Sequence, residues 1–140
     1  MIPLSAETEI RVRFSEVDML TIVWHGHYVQ YLEEGRQAFG EKYGLGYMQV
    51  YDQGFSIPIV KLNIDYKNSL KFEDSAIVET KFVNTDAAKL IFHYIIKNKH
   101  TGKLIATAET VQVFVDKEGQ LSLTNPDFFS VWKKKWIRGN

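Results

Sequence analysis

Asp18, His25, His27, Tyr28, Glu33 and Arg36 form the densest run of chemically capable side chains in the sequence. Asp18 stands in Ser15-Glu16-Val17-Asp18-Met19-Leu20-Thr21, a stretch with neither strand nor helix periodicity, and His25 follows seven residues later, where a helical pattern is about to begin. The position that should cap that helix, around His25-Gly26, lacks Ser, Thr, Asp or Asn, so its first-turn N–H groups have no obvious local acceptor. Amides at the positive end of a helix dipole suit an oxygen that gains negative charge. A carboxylate beside them supplies what attack on a carbonyl needs: a base or nucleophile on one side, an oxyanion stabiliser on the other.

The pattern alone leaves other readings open. A loop aspartate ahead of a helix is commonly a turn former. Glu33 and Arg36, three apart on a helix, commonly make an ion pair. His25 and His27 diverge at a helix start, with no cysteine and no third histidine near in sequence, so no metal is expected there.

The elements that must position these residues can be read from periodicity. Thr8, Ile10, Val12 and Phe14 alternate with charged residues and predict a strand. From His27 to about Tyr43 the period becomes helical, with Tyr28, Tyr31, Leu32, Gly35, Phe39 and Tyr43 on one stripe and Gly44 and Gly46 as the stop. Gly35 costs roughly 1 kcal/mol of helix propensity relative to alanine, which implies that another backbone comes close there. Strands follow at Val60 to Tyr66, Ala76 to Phe82, Leu90 to Ile96 and Leu104 to Val115, in meander-like succession. Ala106 and Ala108 are small enough to let a helix lie over them. Tyr47 to Ser56 is the long connector and a candidate lid. Asn125-Pro126 predicts an N-cap and first helical residue for a short terminal helix through Trp132. One helix covers one face of such a sheet, and the strands at 90–96 and 104–115 are apolar on both sides, so a second copy of the chain is expected to cover the remainder.

Length and composition bound the class. At 140 residues the chain fits one domain, 1–140, and its 17 Lys+Arg against 17 Asp+Glu argue against a dedicated nucleic-acid binder. The absence of cysteine excludes a disulfide framework and a thiol nucleophile. Met1-Ile2-Pro3-Leu4-Ser5 has no basic or apolar leader character and no apolar run reaches membrane-span length, so a cytoplasmic protein is expected. Lys133-Lys134-Lys135 between Trp132 and Trp136 reads as a solvated helix face.

Arg13-Phe14-Ser15-Glu16-Val17-Asp18, then Ile22-Val23-Trp24-His25-Gly26-His27-Tyr28, then Tyr31-Leu32-Glu33-Glu34-Gly35-Arg36 resembles the signature of the 4-hydroxybenzoyl-CoA thioesterase-like hotdog family. That signature runs from Asp seven residues on to His or Tyr, three to Tyr, five to Glu and three to Arg, and the chain matches each step. A weaker likeness continues through Ile57-Pro58-Ile59-Val60, Asp65-Tyr66 and Phe72-Glu73-Asp74. The resemblance implies an α+β hotdog domain, a long central helix wrapped by a curved antiparallel sheet of about five strands. It further implies hydrolysis of an acyl-CoA or acyl-carrier thioester without metal or organic cofactor, coenzyme A being part of the substrate, by a homodimer or homotetramer.

By the same resemblance Asp18 is the general base or nucleophile. The His25 position offers its backbone N–H to the thioester oxygen, and its imidazole orients substrate or water. Trp24, Gly26, Tyr28, Glu33 and Lys89 are carried as substrate-binding candidates, with Lys61 and Lys67 as further cations for the coenzyme A phosphates and Met19 as a possible pocket wall. Leu20-Thr21 departs from the pattern, since many relatives carry glycine in that loop. Two competitors share the scaffold: a non-catalytic binder of acyl-CoA or another hydrophobic small molecule, and a dehydratase acting on hydroxyacyl thioesters.

Overall fold

A computed structural model describes residues 4–137. The start of the Met1–Ser5 segment and the end of the chain lie outside them. The elements run β1 (Ser5–Arg11), α1 (His27–Tyr43), α2 (Tyr47–Asp52), β2 (Phe55–Ser56), β3 (Ile59–Tyr66), β4 (Ser75–Val83), β5 (Lys89–Asn98), β6 (Leu104–Val113), β7 (Val115–Asp116) and α3 (Asp127–Trp136). Five strands form one antiparallel sheet in the order β1-β4-β5-β6-β3, and β2 pairs with β7. The strand–helix–strands order is as expected, but the simple meander is not. Only β4, β5 and β6 are consecutive neighbours, while β3 crosses to the far edge, where Leu62 meets Thr110 and Tyr66 meets Ala106.

Alternation on β5 buries Leu90, Phe92, Tyr94 and Ile96 on the face toward α1 and leaves His93 and Lys97 exposed. The buried stripe of α1 contains Tyr28, Tyr31, Leu32, Gly35, Arg36, Phe39 and Gly40. Gly35 does mark a close approach, but of side chains rather than the expected backbone: a Cβ there would stand 2.5 Å from Thr80 Oγ1 and 2.8 Å from Val78 Cγ1 on β4. Gly44, at φ 72°, ends the helix in the left-handed conformation and donates its N–H to Gly40 O.

Several local expectations are corrected. β1 ends at Arg11, and Phe14, expected on its buried face, is 75% exposed, because the chain leaves the sheet through a single 3-10 turn at Phe14–Glu16. α1 packs chiefly on β1, β4 and β5, so Ala106 and Ala108 on β6 do not form its bed. The Tyr47–Ser56 connector folds into α2 and β2, and it is anchored: Gln112 Nε2 donates to Ile57 O (2.7 Å) and Tyr47 Oη (3.1 Å), and Arg36 Nη2 donates to Leu45 O (2.9 Å). α3 begins one residue later than expected, with Pro126 rather than Asn125 at the cap position, and continues past Trp132 to Trp136. It seals the C-terminal end of α1 with an aromatic cluster, in which Phe129 stacks on Trp132 (5.7 Å between centroids) and Phe114 lies 5.0 Å from Phe129. Among the described residues no helix is long and apolar enough to cross a membrane.

Candidate active site

The loop after the 3-10 turn is a small hairpin. Val17 pairs with Val23, Asp18 N–H donates to Ile22 O (2.9 Å), and Thr21 N–H donates back to Asp18 O (2.9 Å). These bonds, with Thr21 at φ 64°, are those of a three-residue hairpin loop whose last residue is left-handed, a place that favours glycine. The departure noted at Leu20-Thr21 is therefore a β-branched residue held in a strained conformation beside Asp18. Asp18 Oδ1 accepts the N–H of Leu20 (2.8 Å), which fixes the carboxylate's orientation, and among the described residues Oδ2 has no partner. Neighbouring chain holds the hairpin on one side through Val23 N–H to Leu70 O (2.8 Å) and Phe72 N–H to Thr21 O (3.2 Å).

From Val23 the chain enters α1. Gly26 is the N-cap residue, already helical at φ −69° and ψ −22°, and no side chain caps the helix. His27 N–H reaches Trp24 O (2.9 Å) and Tyr28 N–H reaches His25 O at 3.4 Å, while the N–H groups of His25 and Gly26 find no acceptor among the described residues. As expected no side chain caps the first turn, but main-chain oxygens take up its His27 and Tyr28 amides, and the two amides without a protein acceptor immediately precede the helix. Trp24, half exposed, packs its ring on His25 (4.9 Å) and edge-on to His27 (5.9 Å), and a Cβ on Gly26 would collide with that ring. His27 turns aside to Gln30 (Nδ1 to Oε1, 3.4 Å).

Asp18, His25 and Tyr28 line one cleft of about 350 Å³ together with Tyr66. Lys67, Asn68 and Ser69 form its polar wall and Ile22 and Val23 its apolar one. Tyr66 donates its hydroxyl to His25 O (2.9 Å) and sets its ring edge-on to Tyr28 (5.3 Å), tying the end of β3 to the start of α1. Tyr28 Oη accepts Leu70 N–H (3.3 Å), and burial raises the Tyr28 pKa, so the phenol stays protonated. Behind it, Tyr31 donates to the buried carboxylate of Glu16 (2.8 Å); burial first, then Glu16, push the Tyr31 pKa well up.

The structure thus gathers Asp18, His25, Tyr28 and Lys67 at one cleft; Trp24 and Gly26 do not line it, although Trp24 packs on His25, which does. It does not bring Glu33, Lys61, Lys89 or Met19 there. Glu33 accepts the hydroxyl of Tyr47 (3.2 Å), Lys61 lies on β3 and Lys89 at the start of β5. Met19 points wholly into solvent (100% exposed).

The expected Glu33–Arg36 ion pair is absent. Arg36 is fully buried, bonded to Gln112 Oε1 (2.9 Å) and Leu45 O, and set over the ring of Phe92 (4.6 Å), and burial draws its pKa down. Tyr66, Asn68, Ser69 and Glu16 were not singled out from the sequence. Tyr66 carried a usable signal, a polar aromatic closing the apolar face Leu62-Ile64-Tyr66. A buried glutamate in an irregular turn carried none.

Comparison with known proteins identifies the family. The family model described as the thioesterase-like superfamily matches residues 12–133. The Bacillus subtilis (strain 168) protein described as "Putative acyl-CoA thioesterase YneP" is 32% identical over 133 residues, spanning 92% of this chain and 96% of that protein. Among solved structures, a DHNA-CoA thioesterase from Staphylococcus aureus is 25% identical, with a TM-score of 0.83 over 95% of this chain and 91% of that one. A mutant 4-hydroxybenzoyl CoA thioesterase complexed with 4-hydroxybenzoyl CoA is 21% identical and shares the fold, with a TM-score of 0.80 over 92% of this chain and 98% of that one.

Proposed function

The chain belongs to the thioesterase-like superfamily, with a hotdog fold, and on that premise we propose that it hydrolyses an acyl-CoA or acyl-carrier thioester to free acid and thiol. The observation that carries the reading is the shared cleft: Asp18, with one carboxylate oxygen unpaired among the described residues, and His25, whose N–H has no acceptor among them, line the same 350 Å³ space.

As general base, Asp18 takes a proton from water while the resulting hydroxide adds to the thioester carbon. The carbonyl oxygen gains negative charge facing the amides of His25 and Gly26. Collapse of the tetrahedral adduct breaks the C–S bond, and the proton held by Asp18 passes to the departing thiolate. As nucleophile, Asp18 adds to the carbon itself, the C–S bond breaks to expel the thiolate and leave a mixed anhydride, and water hydrolyses that anhydride, giving up a proton that the thiolate takes. A thiol of pKa about 8.5 leaves without a strong acid, so no metal or organic cofactor is required and coenzyme A enters as part of the substrate. Tyr28 and Tyr66 shape the reacting end of the cleft, with Trp24 packed on His25 beside it, and Lys67 offers a cation at its rim.

The working unit in this reading is a homodimer or homotetramer. β3 is an edge strand of 8 residues with Val60 60% exposed, and Tyr66 at its end lines the cleft, so a second copy pairing along β3 would lie beside the site. In this reading the protein works in the cytoplasm.

The test is thiol release across aromatic, short, medium and long acyl-CoAs and acyl-carrier-protein thioesters. Turnover with any of them supports the proposal. Saturable binding without thiol release identifies a non-catalytic binder, and loss of an enoyl thioester's ultraviolet band without thiol release identifies a dehydratase.

A further inference from the structure

Asp18 sits on a loop tip with little packing of its own. Leu20 N–H orients the carboxylate within the loop (2.8 Å), but Met19 is 100% and Leu20 75% exposed and Thr21 is strained, so the placement of the loop against α1, and of the carboxylate with it, is inherited from the base of the hairpin. Residues 70–72 hold that base from one side. The hold on the side of α1 comes from Glu16, two residues before Asp18 and only 4% exposed. Glu16 Oε1 accepts both the Tyr31 hydroxyl (2.8 Å) and Arg13 N–H (2.9 Å), and its main-chain oxygen accepts Trp24 N–H (2.9 Å). One residue therefore grips the body of α1, the start of the 3-10 turn leading to Asp18, and the residue that precedes His25.

We infer that Glu16 and Tyr31 form a strut that positions the Asp18 carboxylate against the His25-Gly26 segment that leads into α1, making both of them positioning residues for thioester hydrolysis. The inference rests on the hydrolase reading given above. A buried carboxylate is an expensive way to join two segments, since an apolar pair of the same volume would join them at no cost in desolvation. What the acid adds is direction: a charged oxygen holds a hydroxyl donor at short, defined distance, where an apolar contact would let the hairpin slide. Tyr31 remains a donor throughout, because burial and the neighbouring carboxylate keep its proton on. A displacement of the order of 1 Å in a reacting group lowers rates by roughly 100-fold, so a small slide is enough to matter.

Tyr31→Phe removes the hydroxyl alone and keeps the ring. It is expected to lower kcat by roughly 10- to 100-fold with KM nearly unchanged. Glu16→Gln, which keeps an oxygen acceptor for Tyr31, is expected to retain more of kcat than Tyr31→Phe. In an Asp18→Asn background, Tyr31→Phe is expected to cost nothing further.

Hydrogen exchange gives a second readout that needs no turnover. The Asp18 and Thr21 amides, which close the hairpin, should exchange roughly tenfold faster in Tyr31→Phe while the β5 and β6 amides are unchanged. Wild-type kcat with wild-type exchange at Asp18 and Thr21 overturns the strut, and so does an equal loss of activity in both backgrounds accompanied by a lower Tm. If the wild-type protein releases no thiol from any thioester, the hydrolase reading fails, and the exchange measurement still decides whether the strut holds the hairpin.

Discussion

At its C-terminal end α1 lies in an apolar aromatic cluster, with Phe39 against Phe92 (5.0 Å between centroids) and Phe82 against Trp132 (5.1 Å), whereas around its N-terminal end, beside the half-exposed Trp24, stand three tyrosines with hydroxyls in hydrogen bonds. Tyr28 accepts Leu70 N–H, Tyr31 donates to Glu16 and Tyr66 donates to His25 O. The apolar end is finished: α3 covers it, and Trp132 Nε1 donates to Tyr43 O (2.7 Å), completing the last turn. The polar end is left open, with amides of His25 and Gly26 and one Asp18 oxygen unsatisfied. The difference separates two tasks along one helix. Apolar burial at one end supplies stability, and directional bonds at the other hold reacting groups in place at some cost to it.

The comparison breaks most readily at the apolar end. Phe92→Ala should lower unfolding free energy by about 3–5 kcal/mol in denaturant titration, while kcat per folded molecule stays near wild type. A comparable loss of kcat in the folded fraction would show that the two ends are not separable.

The next effect comes from alkali. Tyr31 and Tyr94 are buried and their pKa values are raised above the ordinary 10.0 of tyrosine, chiefly by burial, so above that pH the unfolded chain releases protons that the native state retains. Their contribution is complete below pH 10.0 and is lost as pH rises beyond it, at up to about 1.4 kcal/mol per pH unit for each. Denaturant midpoints across this range, read beside phenolate absorbance, should fall more steeply for the wild type than for Tyr31→Phe. Equal slopes would mean that Tyr31 ionises freely in the native state.

The smallest effect sits in the loop. Thr21→Gly relieves a left-handed β-branched residue and should raise stability by about 1 kcal/mol or less, the gain being offset in part by unfolded-chain entropy. A lower Tm would show that the threonine side chain supports the loop.

The long helix was legible in its own residues: its stripe, its glycine stop, and Gly35 as a point of close approach all follow from a 3.6-residue period. Asp18 and His25 were legible as a pair because a loop carboxylate before an uncapped helix is a local pattern, and the family likeness gave it meaning. The crossing of β3 to the far edge was not, since alternation tells which face a strand buries and nothing about its neighbour. The Glu33–Arg36 pair failed for a related reason. The connector folded into α2 and brought Tyr47 to Glu33, leaving Arg36 to Gln112 and Leu45, which are distant in sequence. Glu16 was hidden because a glutamate's burial depends on a donor, Tyr31, supplied by another element.

The account's central claim is that the Asp18 carboxylate acts on a thioester held against the start of α1. It is tested most directly by kcat of Asp18→Asn on the best substrate found by thiol release. The expected result is a fall of roughly 100- to 10,000-fold with Tm unchanged, whereas a folded Asp18→Asn enzyme turning over at the wild-type rate would contradict it.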